Sequence, residues 1–376
     1  MLEDPYPRYA ELRESTPVFW HDGMRSWVLT RYDDCLAVLR DHQLFARDRR
    51  RAGQHIPEFR QSLQTTDPPE QTPLRKLMVN AFKRQDLAAV AGRAQVHVAR
   101  LLEEAARQPS FDWMAQVAAP FSLRLTADLL GVPEPDLDEY VPISEGIALR
   151  MDAGLVPANI AVGDAARVKL NALGRTWFEG PRSPGSLLGE IERGAADTDI
   201  PVHYVENSAA MMFNASYGTV YATCGNVAGL VAADPDLLAR LGGEGVLATA
   251  VDELVRFDGP AQGTTRVSLV DIEIAGTPVA PGDLVLTLLA AANRDPRQFD
   301  RPDELVLDRR PNRHLGFGWG PHSCLGSMFG QVSIEALLRA LLSLPGRLAP
   351  AATPTRRRTA TVRSYETLPV RIAGVS

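Results

Sequence analysis

Ten residues, Phe317-Gly318-Trp319-Gly320-Pro321-His322-Ser323-Cys324-Leu325-Gly326, constrain this chain more than any other stretch. Gly318, Gly320 and Gly326 let the backbone approach a flat group closely and take up φ > 0 where a side chain would clash. The loop therefore presents one cysteine on a backbone with few steric demands of its own. An apolar helical pattern follows through Leu337, Leu338, Leu341 and Leu342. Cys324 thus stands just before a predicted helix N-terminus, where the dipole favours a thiolate. Backbone N–H groups of the loop can hydrogen-bond the sulfur, and Phe317 can shield it from water. A cysteine held in this way is suited to ligate a haem iron.

The loop resembles the cysteine-ligand segment of the cytochromes P-450, F-G-x-G-x-H-x-C-x-G. The fixed positions Phe317, Gly318, Gly320, His322, Cys324 and Gly326 all agree. From average residue usage, chance agreement is on the order of 10⁻⁸ per window. The resemblance implies haem b (iron protoporphyrin IX) on the Cys324 thiolate, whose electron density favours O–O cleavage. It also implies that His322 donates to a haem propionate. The implied fold is mainly α with small β-sheets, in a single triangular domain spanning residues 1–376.

The rest of the chain is compatible with that fold. Its 376 residues are 45% hydrophobic and 23% charged, enough for a large core. Helical periodicity is clearest over Ala88 to Ala106, Leu123 to Leu130, Ser208 to Ala232 and Leu247 to Val255. Strand-like runs are few: Ser26 to Thr30, Val267 to Ile274, Leu284 to Leu289 and Pro369 to Ile372. A net charge of −6 gives no case for nucleic-acid binding. Cys35, Cys224 and Cys324 form neither a disulfide framework nor a metal-ligand spacing. No signal-peptide pattern or bilayer-long apolar run is present, and the expected compartment is a reducing cytoplasm without membrane association.

Three further segments resemble the family. Glu253-Leu254-Val255-Arg256 matches its E-x-x-R, a spacing that puts both side chains on one helix face. The resemblance makes this pair buried and joins it to Arg309 in a structural triad. Arg266 matches a position that binds one propionate. Asp67-Pro68-Pro69-Glu70-Gln71-Thr72-Pro73-Leu74-Arg75 resembles D-P-P-x-H-x-x-L-R, which supplies donors to the other. Arg75 matches, and Gln71 replaces the usual histidine with an uncharged donor. Past the cysteine, Gly330-Gln331-Val332-Ser333 departs from the usual A-R-x-E and is expected to loosen local packing.

The helix expected to cross the distal haem face departs most. Aligned on Asp234-Pro235, the usual A-G-x-[DE]-T reads Ala215-Ser216-Tyr217-Gly218-Thr219. Thr219 keeps the alcohol of the family's proton relay, and Gly218 stands where its acid does. Such a relay needs a donor within hydrogen-bond reach, directly or through one water. The family layout places Asn214, Ser216, Tyr217, Gln262, Thr264 and Tyr365 as candidates for the substrate pocket. It also places the run Arg47, Arg49, Arg50 and Arg51 near an entrance, where a basic run is either a solvated face or suits an anionic ligand.

The function implied is a monooxygenase inserting one oxygen atom from O₂ into a small organic molecule. The expected substrate is a polar aromatic or polyketide-derived intermediate of secondary metabolism, free or tethered to an acyl or peptidyl carrier protein. The missing acid leaves open a peroxide-driven, radical-coupling or nitrating enzyme, and a non-catalytic haem sensor is a third reading. The chain has no flavin or iron–sulfur motif, so a separate ferredoxin and ferredoxin reductase are the implied electron donors. Arg75, Lys76, Lys83 and Arg84 are expected to steer an acidic ferredoxin.

Overall fold

The computed structural model describes residues 3–180, 183 and 185–374. Its organising element is the helix Val202–Ala233, 32 residues and so ~48 Å long at 1.5 Å per residue. It follows Pro201 and ends at Asp234, before Pro235, which cannot continue the helix. Most of its side chains are buried on every side, as expected for a helix with little polar surface. Helices Ala119–Leu130, Asn159–Glu179 and Ser327–Leu342 pack around it. Among the described residues no helix is long and apolar enough to cross a membrane.

Strands occupy one flank. Their order is Val18–His21, Ser26–Leu29, Leu284–Thr287, Thr264–Ser268 and Phe45–Ala46. Ser26–Leu29 pairs parallel with Leu284–Thr287, and the crossover between them is most of the helical body. A smaller sheet joins Phe111–Asp112, Pro369–Gly374 and Gly346–Pro350. The expected strand Val267 to Ile274 is two strands, Thr264–Ser268 and Ile272–Ile274. The chain leaves the sheet at Leu269, whose N–H goes to the carbonyl of Leu44, and the second strand pairs locally with Thr277–Val279.

The helices Leu137–Met151 and Asn159–Glu179 form a tight antiparallel pair over one end of the central helix. Gly163 permits their approach, since a Cβ there would lie 2.1 Å from the Cβ of Arg150. This closeness brings Arg150 and Arg167 to one wall of a large cavity.

Glu253, Arg256 and Arg309 come together in the core. Arg256 holds Glu253 with two bonds of 2.7 and 2.8 Å, and Arg309 adds one of 3.0 Å. The remaining guanidinium donors reach carbonyls of Asn293, Pro302, Glu304, Asp300 and Arg301. The N–H of Val306 and the Asn312 amide complete the carboxylate. One carboxylate thereby ties the helix Leu247–Asp258 to the irregular segment that leads into the cysteine loop. A buried network of this kind stands only when every member is satisfied, and removing one partner costs about 3–5 kcal/mol. Glu253→Ala is therefore expected to lower unfolding stability by about that amount in urea titration, while Glu335→Ala, whose ion pair with Arg339 is exposed, shifts it by under ~1 kcal/mol.

Candidate active site: the cysteine loop and a large cavity

The cysteine loop is built by its own hydrogen bonds. Gly318 N–H donates to the Leu315 carbonyl at 2.8 Å, Ser323 N–H to Gly320 at 3.0 Å, and Cys324 N–H to Phe317 at 2.7 Å. Gly318 and Gly320 have φ of 66° and 71°. A Cβ on Gly320 would lie 2.4 Å from the Leu39 carbonyl oxygen, so the loop rests directly on the helix Tyr32–Arg40. Gly326 differs from expectation: its φ is −94°, and a Cβ there would meet no protein atom within 4 Å. Neither backbone strain nor a protein neighbour requires glycine at this position. Phe317 lies beside Gly330, with its ring tilted 51° to that of His314 at 5.5 Å between centroids.

The Cys324 side chain is accessible to water, unlike Cys35 and Cys224, which are buried. It is nonetheless largely enclosed by protein, which pushes the thiol pKa up against the Gly326 N–H bond and the Arg75 charge. Bound iron deprotonates such a thiol outright. The helix Ser327–Leu342 opens immediately after it, with Gly326 as a cap that contributes no side-chain bond.

One carboxylate fixes the loop's flank. Asp67 accepts the backbone N–H of Arg47 and Asp48 at 3.0 and 3.1 Å, Arg51 at 3.3 Å and His322 at 2.6 Å. Burial alone would raise this carboxyl, but the bonds from His322, Asp48 and Arg51 bring it below its usual range. His322 is held neutral, its pKa pushed down to about 4 by burial despite Asp67. The network assigns the proton to Nε2, so Nδ1 accepts from Gln71 at 3.1 Å. This corrects the expected propionate role of His322, because both ring nitrogens are engaged by protein. Asp67 took no part in the sequence reading beyond matching a motif.

The residues present fit a haem. Arg266 is 4% exposed and has no carboxylate within ion-pair distance among the described residues. Burial and Arg47 push its pKa down to about 9. A buried guanidinium in that state calls for an anion, and a propionate supplies one. Arg75 reaches the Ser323 carbonyl and hydroxyl at 2.9 Å each, beside the cysteine. Gln71 keeps a second amide N–H beyond its bond to His322.

On the central helix, Thr219 is exposed although its neighbours in sequence are largely buried. Met212, Ala215, Ser216 and Thr219 form one partly open stripe at helical spacing. The Thr219 hydroxyl donates to the Ala215 carbonyl at 2.7 Å. Asn214 and Tyr217 do not face the open stripe. Asn214 accepts from the Tyr140 hydroxyl at 3.2 Å, and Tyr217 packs edge-on to Tyr140 at 5.0 Å. Both belong to an aromatic cluster with Phe213, which corrects their assignment to the pocket. Tyr365 is also removed from it: its hydroxyl accepts from Arg356 at 2.9 Å and its ring lies on Gly225 and Gly229.

A cavity of about 880 Å³ lies between the large sheet, the segment 46–65 and the helix pair. Gln262, Thr264 and Arg266 line it, and the C-terminal loop contributes Thr359, Ala360 and Thr361 in place of Tyr365. Arg47 and Arg49 line it too. Arg50 and Arg51 do not: Arg50 is bound to Asp48, Glu70 and Tyr204, and Arg51 to Asp67 and the His42 carbonyl. Gln331 and Ser333 do not loosen their helix; Gln331 bonds Asp252 at 2.9 Å and Ser333 is buried on the Phe329 carbonyl.

Known proteins place this geometry. The profile of the family described as Cytochrome P450 matches residues 245–344. The 6-deoxyerythronolide B hydroxylase of Saccharopolyspora erythraea is 30% identical, over 99% of this chain and 96% of its own. The P450 monooxygenase PikC of Streptomyces venezuelae is 29% identical over 93% and 86%. Among solved structures, CalO2 superposes with a TM-score of 0.87 at 29% identity over 99% and 96%. Epothilone B-bound P450epoK gives 0.87 at 27%, over 100% and 98%. The chain belongs to the cytochrome P450 family, and its fold and cysteine loop are those of a haem-thiolate monooxygenase. Its relatives include a hydroxylase named for 6-deoxyerythronolide B and a P450 solved with epothilone B bound.

Gly320→Ala forces a positive φ and a contact with the Leu39 carbonyl that cannot relax without moving the loop. We expect a loss of about 1–3 kcal/mol in stability, read by thermal unfolding, together with weaker haem retention on gel filtration.

Proposed function

We propose that this P450 is a tailoring hydroxylase acting on an amphiphilic polyketide-derived or aromatic intermediate, using haem b on Cys324. The observation that carries the reading is the cavity itself. Its volume suits a ligand larger than a single ring, and its wall is divided between apolar side chains and polar ones at Gln262, Thr264, Thr359 and Thr361. The relatives named above for polyketide substrates support the same class. Whether the intermediate arrives free or on a carrier protein is decided by offering both forms to the purified enzyme. Haem on a thiolate supplies the oxygen-activating chemistry. Cys324, Arg266, Arg75 and Gln71 hold the group, and the cavity holds the substrate and excludes bulk water.

Thr219 is the proposed proton-relay side chain. Its hydroxyl is committed to the Ala215 carbonyl, so its oxygen is free to accept from a water, and passing a proton onward requires the Ala215 bond to open. Gly218 is partly exposed, like Met212, Ala215 and Ser216, and a Cβ there would stand 3.7 Å from the Ser144 hydroxyl, on the helix Leu137–Met151. The position has room for a Cβ, and with no acid there, water or a polar group of the substrate completes the relay. A peroxide-driven reaction remains the second reading on the strength of that glycine alone.

Electrons are proposed to come from a ferredoxin and its reductase in the cytoplasm. Lys76 and Lys83 are exposed and suit an acidic partner. Arg84 pairs with Glu190 at 2.8 Å and Arg75 turns inward, which reduces the patch expected from sequence.

The test is turnover with ferredoxin, reductase and NADPH over a panel of macrolactones and aromatic acids, with hydrogen peroxide alone as the alternative oxidant. Product only in the complete system supports the monooxygenase; product with peroxide alone favours the second reading. In Thr219→Ala, we expect product to fall by about 10²-fold while electron consumption continues and peroxide accumulates. Gly218→Asp is expected to fold normally and to shift the pH dependence of coupling; unchanged coupling in both variants removes the relay.

A further inference from the structure

Resting on the proposed hydroxylase reading, the substrate class can be narrowed by charge. Four guanidiniums line the cavity where the segment 49–60 meets the helix pair: Arg49, Arg60, Arg150 and Arg167. They share one carboxylate, Asp164, which bonds the Arg150 Nε at 3.1 Å. Asp152 also lines the cavity, but both its oxygens accept backbone N–H groups, of Ala360 at 2.7 Å and Thr361 at 2.8 Å. Arg167 donates to Asn171 at 2.9 Å, a neutral partner. The Arg49 and Arg60 side chains make no hydrogen bond or ion pair with the described residues.

Holding these charges together is unfavourable in the protein alone. Burial and then Arg60 push the Arg167 pKa down to about 9. Burial and then Arg150 lower those of Arg49 and Arg60. The close packing at Gly163 holds Arg150 and Arg167 on adjoining helices, while Arg49 and Arg60 join them from the segment 49–60, Arg49 with its side chain open to solvent. An anion placed among them gains charge-assisted hydrogen bonds and removes the mutual repulsion. The opposite part of the cavity is apolar, with Phe19, Val28, Met211, Leu286 and Leu288.

We propose that the cavity recognises a free organic carboxylate, its anionic end held by Arg49, Arg60, Arg150 and Arg167 and its apolar body directed across the cavity toward the Thr264–Arg266 wall. This ordering places the carbons farthest from the carboxylate nearest the haem side, where Arg266 lies. The run of arginines read from sequence contributes only Arg49 to the cluster; Arg60, Arg150 and Arg167 complete it from distant parts of the chain.

The experiment uses the haem-loaded enzyme and two acids of different shape, dodecanoate and biphenyl-4-carboxylate, each beside its methyl ester. Binding is measured by calorimetry and by the shift of the haem absorption band. The proposal expects each acid to bind at least about 10-fold tighter than its ester. In Arg49→Gln/Arg60→Gln that preference falls about 10- to 100-fold, ester affinity being retained, as loss of hydrogen bonds to a charged group predicts. Neither side chain has a partner among the described residues, so the variant is expected to keep its thermal stability and carbon-monoxide spectrum. Arg107→Gln, on the exposed surface, serves as the charge control and leaves the preference intact. Equal binding of acids and esters, binding by esters alone, no binding of either acid, or a preference that survives the double variant overturns the proposal. None of these results touches the hydroxylase reading, which is tested separately by product formation from the panel of macrolactones and aromatic acids in the complete electron-transfer system.

Discussion

Glu253 is the carboxylate on which the haem side of this protein depends. Its two oxygens receive Arg256, Arg309, the Val306 N–H and Asn312, and the two guanidiniums in turn collect carbonyls from residues 293–304. That segment has little regular structure, so no ladder of backbone bonds could hold it. Without the network, the approach to the cysteine loop would be a long irregular chain with unpaired carbonyls, which a buried position does not tolerate. The loop's accuracy is therefore borrowed from a charge cluster that never touches the chemistry.

A second carboxylate does the equivalent work on the other flank. Asp67 gathers backbone N–H groups from Arg47 and Asp48, the Arg51 guanidinium and His322. It joins the wall of the cavity to the turn that carries Cys324. The consequence for His322 is chemical: between Asp67 and Gln71 it becomes a neutral strut, and the cations proposed to face the haem are Arg266 and Arg75. Gln71 is then more than a neutral stand-in for histidine. Its amide donates to the Nδ1 that a second imidazole could meet only in the right tautomer.

Much of the fold and the proximal site was legible because the signals are local. A cysteine among glycines, a pair spaced by three on a helix face, and a helix uniformly poor in charge can each be read within a short window. The predicted helix Ala88 to Ala106 lies within one residue of Leu87–Ala105 for that reason. What could not be read depends on long-range packing. The direction of Tyr217 is set by Tyr140, 77 positions away and on another helix. Tyr365 is claimed by Arg356 and by two glycines of the central helix, an arrangement with no sequence period. The basic run 47–51 looked continuous, yet the backbone turns of the 3₁₀ helix Arg49–Ala52 send neighbouring arginines to different partners.

The same reasoning bears on what the distal side can do. A relay acid is useful where protons must cross a dry pocket, and its cost is a carboxylate held near the substrate. A cavity that already carries several guanidiniums is a poor place to add one, since Asp164 shows where such a carboxylate goes: onto Arg150. An acid at position 218 would stand over Ser144, on the same helix as Arg150, with an ion pair to the cationic wall competing for it. Glycine at 218 removes that competition.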